Sequence, residues 1–233
     1  MSDDRSPVRF AIVCLGRTGS THLQSQLDHH SQATCFGEVF GAGGAPPRYS
    51  GPADGEPGAW LDALLGAAPG RAVGLKLPLS SIRRHPGAGA AFAADPAFRA
   101  IRLSRRNRLA QLVSRRLLAR TGVSQSIFGD YGEATVRIEP AECLAAFAGI
   151  EAEERELDEL VAGHPTYRID YEELIAGTRE DELQGFLGLD PEELRSWFTR
   201  MRVQPLERTI ENWDELAAAL REAGLERFLV EES

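Results

Sequence analysis

The sequence predicts an α/β fold, a single domain over residues 1–233 in which helices flank a mostly parallel central sheet. Short apolar runs alternate with amphipathic segments along most of the chain, the order typical of strands joined by crossover helices. A length of 233 residues suits one large domain with a sizeable core, and 26% of charged residues is an ordinary globular value. No internal repeat or low-complexity segment divides the chain.

The predicted elements follow this alternation from the start of the chain. Residues 8–15, VRFAIVCL, form the first predicted strand because they are nearly all apolar and rich in β-branched side chains. A glycine-bearing turn follows at 16–19, and a helix is predicted at 20–30. The other predicted strands are residues 33–40, 71–77, 99–104, 135–139 and 166–171, and the other predicted helices include residues 59–67, 107–120 and 140–161.

Bulk composition narrows the function classes. Residues 1–9 are polar and no long apolar run follows them, so we expect neither a signal peptide nor a membrane span. Cys14, Cys35 and Cys143 lie far apart without a CxxC motif, which favours free thiols in a reducing cytoplasm over disulfides or a zinc site. A net charge of −9 argues against general binding to nucleic acids or membrane surfaces.

Three segments depart from this average composition. Residues 99–120 hold eight arginines and no acidic residue, whereas residues 151–233 hold 23 of the 35 acidic residues. Most of these arginines are typical of a solvated helix face. Residues 41–58 hold six glycines and four prolines, a loop too long for a plain connector, and we expect it to act as a lid or a substrate loop.

Four polar residues fall at or just after the ends of predicted strands. They are Arg17, Glu38, Lys76 and Arg106, and Lys76 is the one lysine of the sequence. In open α/β sheets, ligands bind beyond the carboxyl ends of the strands. We therefore treat these four as candidates for one site, although a strand-end side chain in solvent is an ordinary alternative for Lys76 and Glu38.

The LGRTGST loop, residues 15–21, joins the first strand to the first helix. Free backbone N–H groups at a helix start and the helix dipole favour an anion there, and Arg17, Ser20 and Thr21 add a cation and two hydroxyls. Neither GxGxxG nor GxxxxGK[ST] is present, because Gly16 and Gly19 are three apart and Ser20 stands where the lysine is needed. A simple glycine turn with a hydroxyl cap remains open for this loop alone.

A second stretch makes the loop more specific. IRLSRRNRLAQLVSRRLLA, residues 101–119, resembles the 3′-phosphate-binding segment of sulfotransferases that use 3′-phosphoadenosine 5′-phosphosulfate (PAPS), with Arg106 and Ser114 at the arginine and serine positions. RTGST is similar to that family's 5′-phosphosulfate loop, with Arg17 where many cytosolic members have lysine. The arginine form of the loop and the Gly37-Glu38 pair resemble the bacterial Stf0-like branch most closely.

The resemblance implies a P-loop-like nucleotide-binding (sulfotransferase) architecture and metal-independent transfer of a sulfuryl group from PAPS to an acceptor hydroxyl, leaving PAP. The acceptor is a carbohydrate, a lipid or a small metabolite. The implied catalytic residues are Glu38 as general base, Arg17 and Lys76. The implied PAPS-binding residues are Arg17, Thr18, Gly19, Ser20, Thr21, Arg106 and Ser114, with no metal ligand.

Helix geometry adds one expectation. Eight residues of α-helix rise about 12 Å, so Arg106 and Ser114 share one phosphate only if Asn107 and Arg108 form a turn before the helix. We therefore predict that this helix begins near Leu109.

Several alternatives stay open from the sequence. His22, His29 and His30 are other candidate bases, and Arg208 and Trp213 are weaker candidates for contacts with the nucleotide. The alternative functions are a P-loop-type nucleotide kinase, which needs ATP and Mg²⁺, and a non-catalytic PAP/PAPS-binding protein. A homodimer is compatible with the sequence, and the identity of the acceptor is open.

Overall fold

The computed structural model describes residues 6–41, 47–50, 57–125, 129–199, 201–202 and 204–230. The chain groups into two compact units. We call residues 1–104 with 156–196 the sheet unit, and residues 105–155 with 197–233 the helical unit. The prediction of a single domain over residues 1–233 stays a prediction.

The sheet unit contains a five-stranded sheet with the order β2-β3-β1-β4-β5. Its strands are β1 (Val8–Cys14), β2 (Ala33–Phe36), β3 (Ala72–Pro78), β4 (Phe98–Ser104) and β5 (Thr166–Asp170). Every strand pair is parallel, which confirms the predicted α/β class. Residues Phe10 to Cys14 of β1 are fully buried because β1 is the middle strand, with helices packed on the sheet.

Helices of the sheet unit connect β1 to β2, β2 to β3 and β3 to β4, as parallel pairing requires, and two further helices follow β5. They are α1 (Ser20–His29), α2 (Gly58–Ala67), α3 (Leu79–Arg84), α4 (Pro86–Ala94), α7 (Tyr171–Ala176) and α8 (Glu180–Leu187). The core beside the sheet joins apolar side chains of β1, such as Ile12, to Leu23 and Leu27 on α1. This packing fixes α1, and with it the loop that precedes α1.

The helical unit has its own apolar core. Its elements are α5 (Arg108–Thr121), α6 (Pro140–Val161), whose last residues belong to the sheet unit, α9 (Leu206–Thr209), α10 (Trp213–Glu222) and a short 3-10 helix (Glu226–Phe228). Leu109, Val113 and Leu117 of α5 are fully buried in this core, so one face of the predicted helix is an apolar stripe that packs inward.

Two predicted strands differ from the structure. Residues 135–139 form only one isolated bridge, Val136 with Ile210, because Val136 bonds to the short α9 turn and α6 begins at Pro140. β2 ends at Phe36 because the chain turns there: the N–H of Gly41 donates to the carbonyl of Glu38 at 2.8 Å.

Two further predictions concern the lid loop and membrane-spanning helices. Much of the predicted lid loop, residues 42–46 and 51–56, lies outside the described residues. Within the described part of the chain, no helix is both long enough and apolar enough to cross a bilayer.

Candidate functional site

The strand order places one loop at the switch point of the sheet. β1 has β3 on one side and β4 on the other, so the chain changes direction across β1. The crevice beyond the carboxyl end of such a strand is where open α/β sheets bind ligands. The LGRTGST loop leaves β1 at this point and leads directly into α1.

The backbone of this loop adopts unusual conformations. Arg17 has a φ of 68° and Gly19 a φ of 87°, both in the left-handed region. For a side chain such as arginine this region costs about 1–2 kcal/mol. Left-handed residues in a turn direct backbone N–H groups into an anion-binding concavity. Strain of this kind persists where the surrounding structure enforces it, and it clusters at functional sites.

No side chain caps the N-terminus of α1. Gly19 is its N-cap and supplies no side-chain hydrogen bond, and the first turn contains no acidic residue. The first N–H groups of any helix have no partner within the helix. An ideal Cβ on Gly19 would lie 2.6 Å from Cδ2 of Tyr171, so the Tyr171 ring packs directly against the loop backbone. Only glycine fits this position.

Two hydroxyl residues of the loop point into the protein. Thr18 is fully buried and its hydroxyl donates to the carbonyl of Leu15 at 2.9 Å, so this hydroxyl is turned away from solvent, and the predicted binding role of Thr18 stays a prediction. Ser20 is 9% exposed and hydrogen-bonds with the thiol of Cys14. Burial raises the pKa of Cys14, with a smaller opposing effect from the positive charge of Lys76.

All three cysteines are free, as their spacing predicted, and the structure shows that all three are buried. Burial raises the pKa of Cys35 well above its usual value and that of Cys143 to about 11. A protonated, buried thiol is a poor nucleophile. None of the three is therefore a candidate for covalent catalysis.

Lys76 brings together three parts of the sheet unit. Its Nζ lies 2.9 Å from Oε1 of Glu38 and donates to the hydroxyl oxygen of Thr21 at 3.0 Å. Lys76 is 5% exposed, while the Glu38 side chain is 36% exposed. A buried ammonium needs such partners to offset its lost hydration. The structure thus joins the candidate base, the candidate cation and the first turn of α1 in one cluster.

The backbone supports this cluster. The N–H of Lys76 donates to the carbonyl of Gly37 at 3.3 Å, which continues the β2–β3 pairing beyond Phe36. Glu38 therefore lies in a tight turn beside β3, the strand that carries Lys76. Strand-end position alone predicted both residues. The contact of Lys76 with Thr21 was not predicted. The feature of the sequence that could have drawn attention to Lys76 is that it is the one lysine of the chain.

The three candidate histidines have different surroundings in the structure. His30 is buried, its Nδ1 accepts from the N–H of Gln32 at 3.1 Å, and its Nε2 lies 3.0 Å from the carbonyl of Asp190. These contacts occupy both ring nitrogens and assign His30 a structural role. His29 lies at the end of α1 with Nδ1 2.6 Å from the carbonyl of Ser25. His22 is partly exposed in α1, and its role stays a prediction.

The helical unit holds the second predicted anion-binding pair. Helix α5 begins at Arg108, one residue before the predicted start, and its N-cap is Asn107, whose Oδ1 accepts from the N–H of Ala110 at 2.9 Å. Arg106 is exposed just before this cap, and Ser114 is 8% exposed two turns into the helix. A phosphate shared by these two residues stays a prediction.

Many arginines of the basic segment form ion pairs with carboxylates later in the chain. The pairs are Arg102 with Asp158, Arg108 with Glu151, Arg115 with Glu153, Arg116 with Glu142, and Arg120 with Glu211. Their N···O distances range from 3.0 to 3.3 Å. At least five arginines of the basic segment are thus paired with carboxylates of their own unit.

The weaker sequence candidates have different surroundings. Arg208 is exposed on α9, and its contact with a nucleotide stays a prediction. Trp213 begins α10 and packs against the apolar core of the helical unit, which supports a packing role. Among the described residues, no three His, Cys, Asp or Glu side chains cluster as metal ligands do, and metal independence stays a prediction.

Comparison with known proteins gives one informative result. No protein-family model matches the chain, and no curated protein does. Among solved structures, the chain is similar to a sulfotransferase from Alicyclobacillus acidocaldarius, with a TM-score of 0.51, 20% identity and 98% of each chain covered. This likeness confirms the predicted architecture: the chain has the fold of a sulfotransferase.

Proposed function

We propose that the protein is a sulfotransferase that moves a sulfuryl group from PAPS to an acceptor hydroxyl. The observation that carries the proposal is the cluster of Glu38, Lys76 and Thr21 beside the uncapped N-terminus of α1. An anion site, a buried cation and a partly exposed carboxylate are the groups that this transfer needs. The fold likeness and the sequence resemblance point to the same reaction.

The residues present fit the proposed donor. PAPS carries negative charge at its 5′-phosphosulfate and at its 3′-phosphate. The loop before α1 suits the first group, because Gly19 leaves the helix N–H groups open and Arg17 adds a guanidinium. Arg106 and Ser114 supply a guanidinium and a hydroxyl for the second, as the sequence resemblance implies.

Glu38 is the residue that takes the acceptor's proton in this proposal. Among the described residues, its Oε1 is the oxygen that Lys76 contacts, and the side chain is 36% exposed. Oε2 can therefore accept a proton from a hydroxyl that enters from solvent. As the acceptor oxygen bonds to sulfur, the bond from sulfur to the 5′-phosphate oxygen breaks, and the electron pair leaves with PAP.

Arg17 and Lys76 stabilise the negative charge that develops in this step. An ammonium has three N–H donors. In the described part of the chain, Thr21 and Glu38 are the partners of two of them, so the third can contact an oxygen of the transferred group. Cations and N–H groups held in place before the reaction are the arrangement that most effectively stabilises a developing charge.

Binding and turnover test this proposal separately. PAP should raise the melting temperature of the wild-type protein more than ATP with Mg²⁺ does, because ligand binding stabilises the folded state. The protein should also release PAP from PAPS when hydroxyl acceptors are supplied. A protein stabilised by ATP–Mg²⁺ but not by PAP would be a nucleotide kinase instead, and binding without turnover would indicate a PAP-binding protein.

The role of Glu38 has its own variant. Glu38→Gln should keep PAP binding but lower the rate of transfer by about 100-fold or more, the usual contribution of a general base. The matched control is Glu156→Gln, an exposed carboxylate of the sheet unit that pairs with Arg83 at 2.8 Å. Full activity in Glu38→Gln would exclude Glu38 as the base.

A further inference from the structure

Thr21 links the LGRTGST loop to Lys76 through a side-chain hydrogen bond whose direction is known. Its hydroxyl oxygen lies 3.0 Å from Nζ of Lys76, which is 2.9 Å from Oε1 of Glu38. We propose that Thr21 is a positioning residue that sets Lys76 against Glu38 and couples an anion bound in the loop to the acceptor's base. This inference rests on the sulfotransferase function proposed above.

The direction of the hydrogen bond follows from the chemistry of the two groups. An ammonium has donors and no acceptor, so Thr21 must accept from Lys76 through Oγ1. The hydroxyl hydrogen of Thr21 then points to a different acceptor. Thr21 is the second residue of α1, where the backbone N–H groups favour an anion, and an anion there offers that acceptor.

Lys76 is positioned because its surroundings leave it few alternatives. The residue is 5% exposed in a strand that is buried along its whole length. An ammonium in such a place cannot exchange a lost partner for water as a surface lysine does. Loss of the Thr21 hydroxyl would therefore leave Glu38 as the remaining described partner and draw the ammonium toward the carboxylate.

The functional consequence is a split between binding and catalysis. An ammonium held only by Glu38 lies closer to the carboxylate and farther from the transferred group, so the transfer step slows. Removal of the Thr21 hydroxyl should lower kcat by about 10- to 100-fold, the range expected for one hydrogen bond to a charged group. The KM for the acceptor should change little, because Thr21 lies on the loop side of Lys76.

A pair of substitutions isolates the hydroxyl. Thr21→Val keeps the shape of the side chain and removes the hydroxyl, whereas Thr21→Ser keeps the hydroxyl and removes a methyl group. Thr34→Val is the matched control, since the Thr34 hydroxyl donates to the carbonyl of Pro69 in the same unit, away from this cluster. The melting temperature of each variant shows whether the fold is kept.

The one lysine of the sequence gives a readout that does not depend on activity. Protein labelled with lysine carrying ¹³C at Cε should show a single ε-methylene signal in a proton–carbon NMR spectrum. PAP, or inorganic sulfate as a smaller probe, should shift this signal in the wild type and in Thr21→Ser. In Thr21→Val the signal of the free protein should differ from wild type and respond less to PAP.

The outcomes separate the two proposals. A wild-type protein that neither binds PAP nor transfers a sulfuryl group overturns the sulfotransferase function itself. A wild-type protein that does both, together with a Thr21→Val variant of unchanged kcat and unchanged lysine signal, overturns only the role of Thr21. A Thr21→Ser variant as impaired as Thr21→Val would also contradict it, because the hydroxyl is then not the group that matters.

Discussion

The N-termini of α1 and α5 differ in how their free backbone N–H groups are capped. Helix α1 has Gly19 as its N-cap and no side-chain cap, whereas the side chain of Asn107 caps α5 by accepting from Ala110. Both helices belong to segments predicted to bind the anionic ends of one nucleotide. The difference predicts that a ligand at α1 would contact backbone N–H groups, whereas a ligand at α5 would contact the side chains of Arg106 and Ser114.

The largest expected effect comes from Gly19→Ala, which alters the open helix start. The added Cβ would meet Tyr171 at 2.6 Å in a backbone with φ of 87°, so the loop must shift. We expect the stabilisation of the protein by PAP to be lost and the free energy of unfolding to fall by at least about 1–2 kcal/mol. Thermal unfolding with and without PAP measures both quantities.

Gly16→Ala is the control for that prediction. An ideal Cβ on Gly16 meets no other atom within 4 Å, and this residue does not have a positive φ. The variant should keep the PAP-dependent rise in melting temperature. If Gly19→Ala bound PAP as well as Gly16→Ala does, the backbone of α1 would not be the anion site.

The next largest effect on PAP binding is expected from Arg106, which precedes the N-cap of α5. Arg106→Ala should weaken PAP binding by about 10- to 100-fold, the loss of a charge-assisted hydrogen bond, and change stability by less than about 0.5 kcal/mol because the residue is exposed. Isothermal titration with PAP measures the affinity. The control is Arg116→Ala, which removes an exposed arginine of α5 that pairs with Glu142. This variant should bind PAP normally.

Sequence patterns were most reliable where the backbone alone determines position. The parallel sheet brings the carboxyl ends of β2 and β3 together, so Glu38 and Lys76 were both predicted as site candidates before their contact was seen. The pattern failed for residues 135–139, where alternating side chains suggested a strand and one bridge formed. Strand partners are a property of the fold, and local alternation does not specify them.

Side-chain partners were the part that the sequence did not predict. His30 looked like a candidate base at a helix end, yet its ring is held by Gln32 and by Asp190, which lies 160 residues away in the chain. The hydrogen bond from Lys76 to Thr21 spans 55 residues in the same way. Such contacts depend on rotamers selected by packing, and no local spacing encodes them.

A smaller effect is expected from Asn107, the cap of α5. Asn107→Ala removes the bond to the N–H of Ala110 and should cost about 1 kcal/mol, lowering the melting temperature by about 2–4 °C. Asn107→Asp keeps an acceptor at the cap and should restore most of the stability, although it loses the exposed bond from Nδ2 to the carbonyl of Val230. The PAP affinity of Asn107→Ala should stay well above that of Arg106→Ala. Equal losses would mean that α5, like α1, binds through its helix start.

The last prediction compares the thiols of the two units, whose effect is confined to alkaline pH. Burial raises the pKa of Cys143 in the helical unit from 9.0 to about 11, so the folded protein keeps a proton that the unfolded chain loses between these values. The free energy of unfolding should therefore fall as the pH rises from about 9 to 11, with no contribution from this thiol below pH 9. Thermal unfolding of wild type and Cys143→Ala across this range measures the difference, and the variant should show the shallower decline.

The Cys14 thiol, beneath the start of α1, also has a raised pKa, so part of the decline should persist in that variant. If the two proteins declined in parallel, the titration of Cys143 would not be coupled to folding.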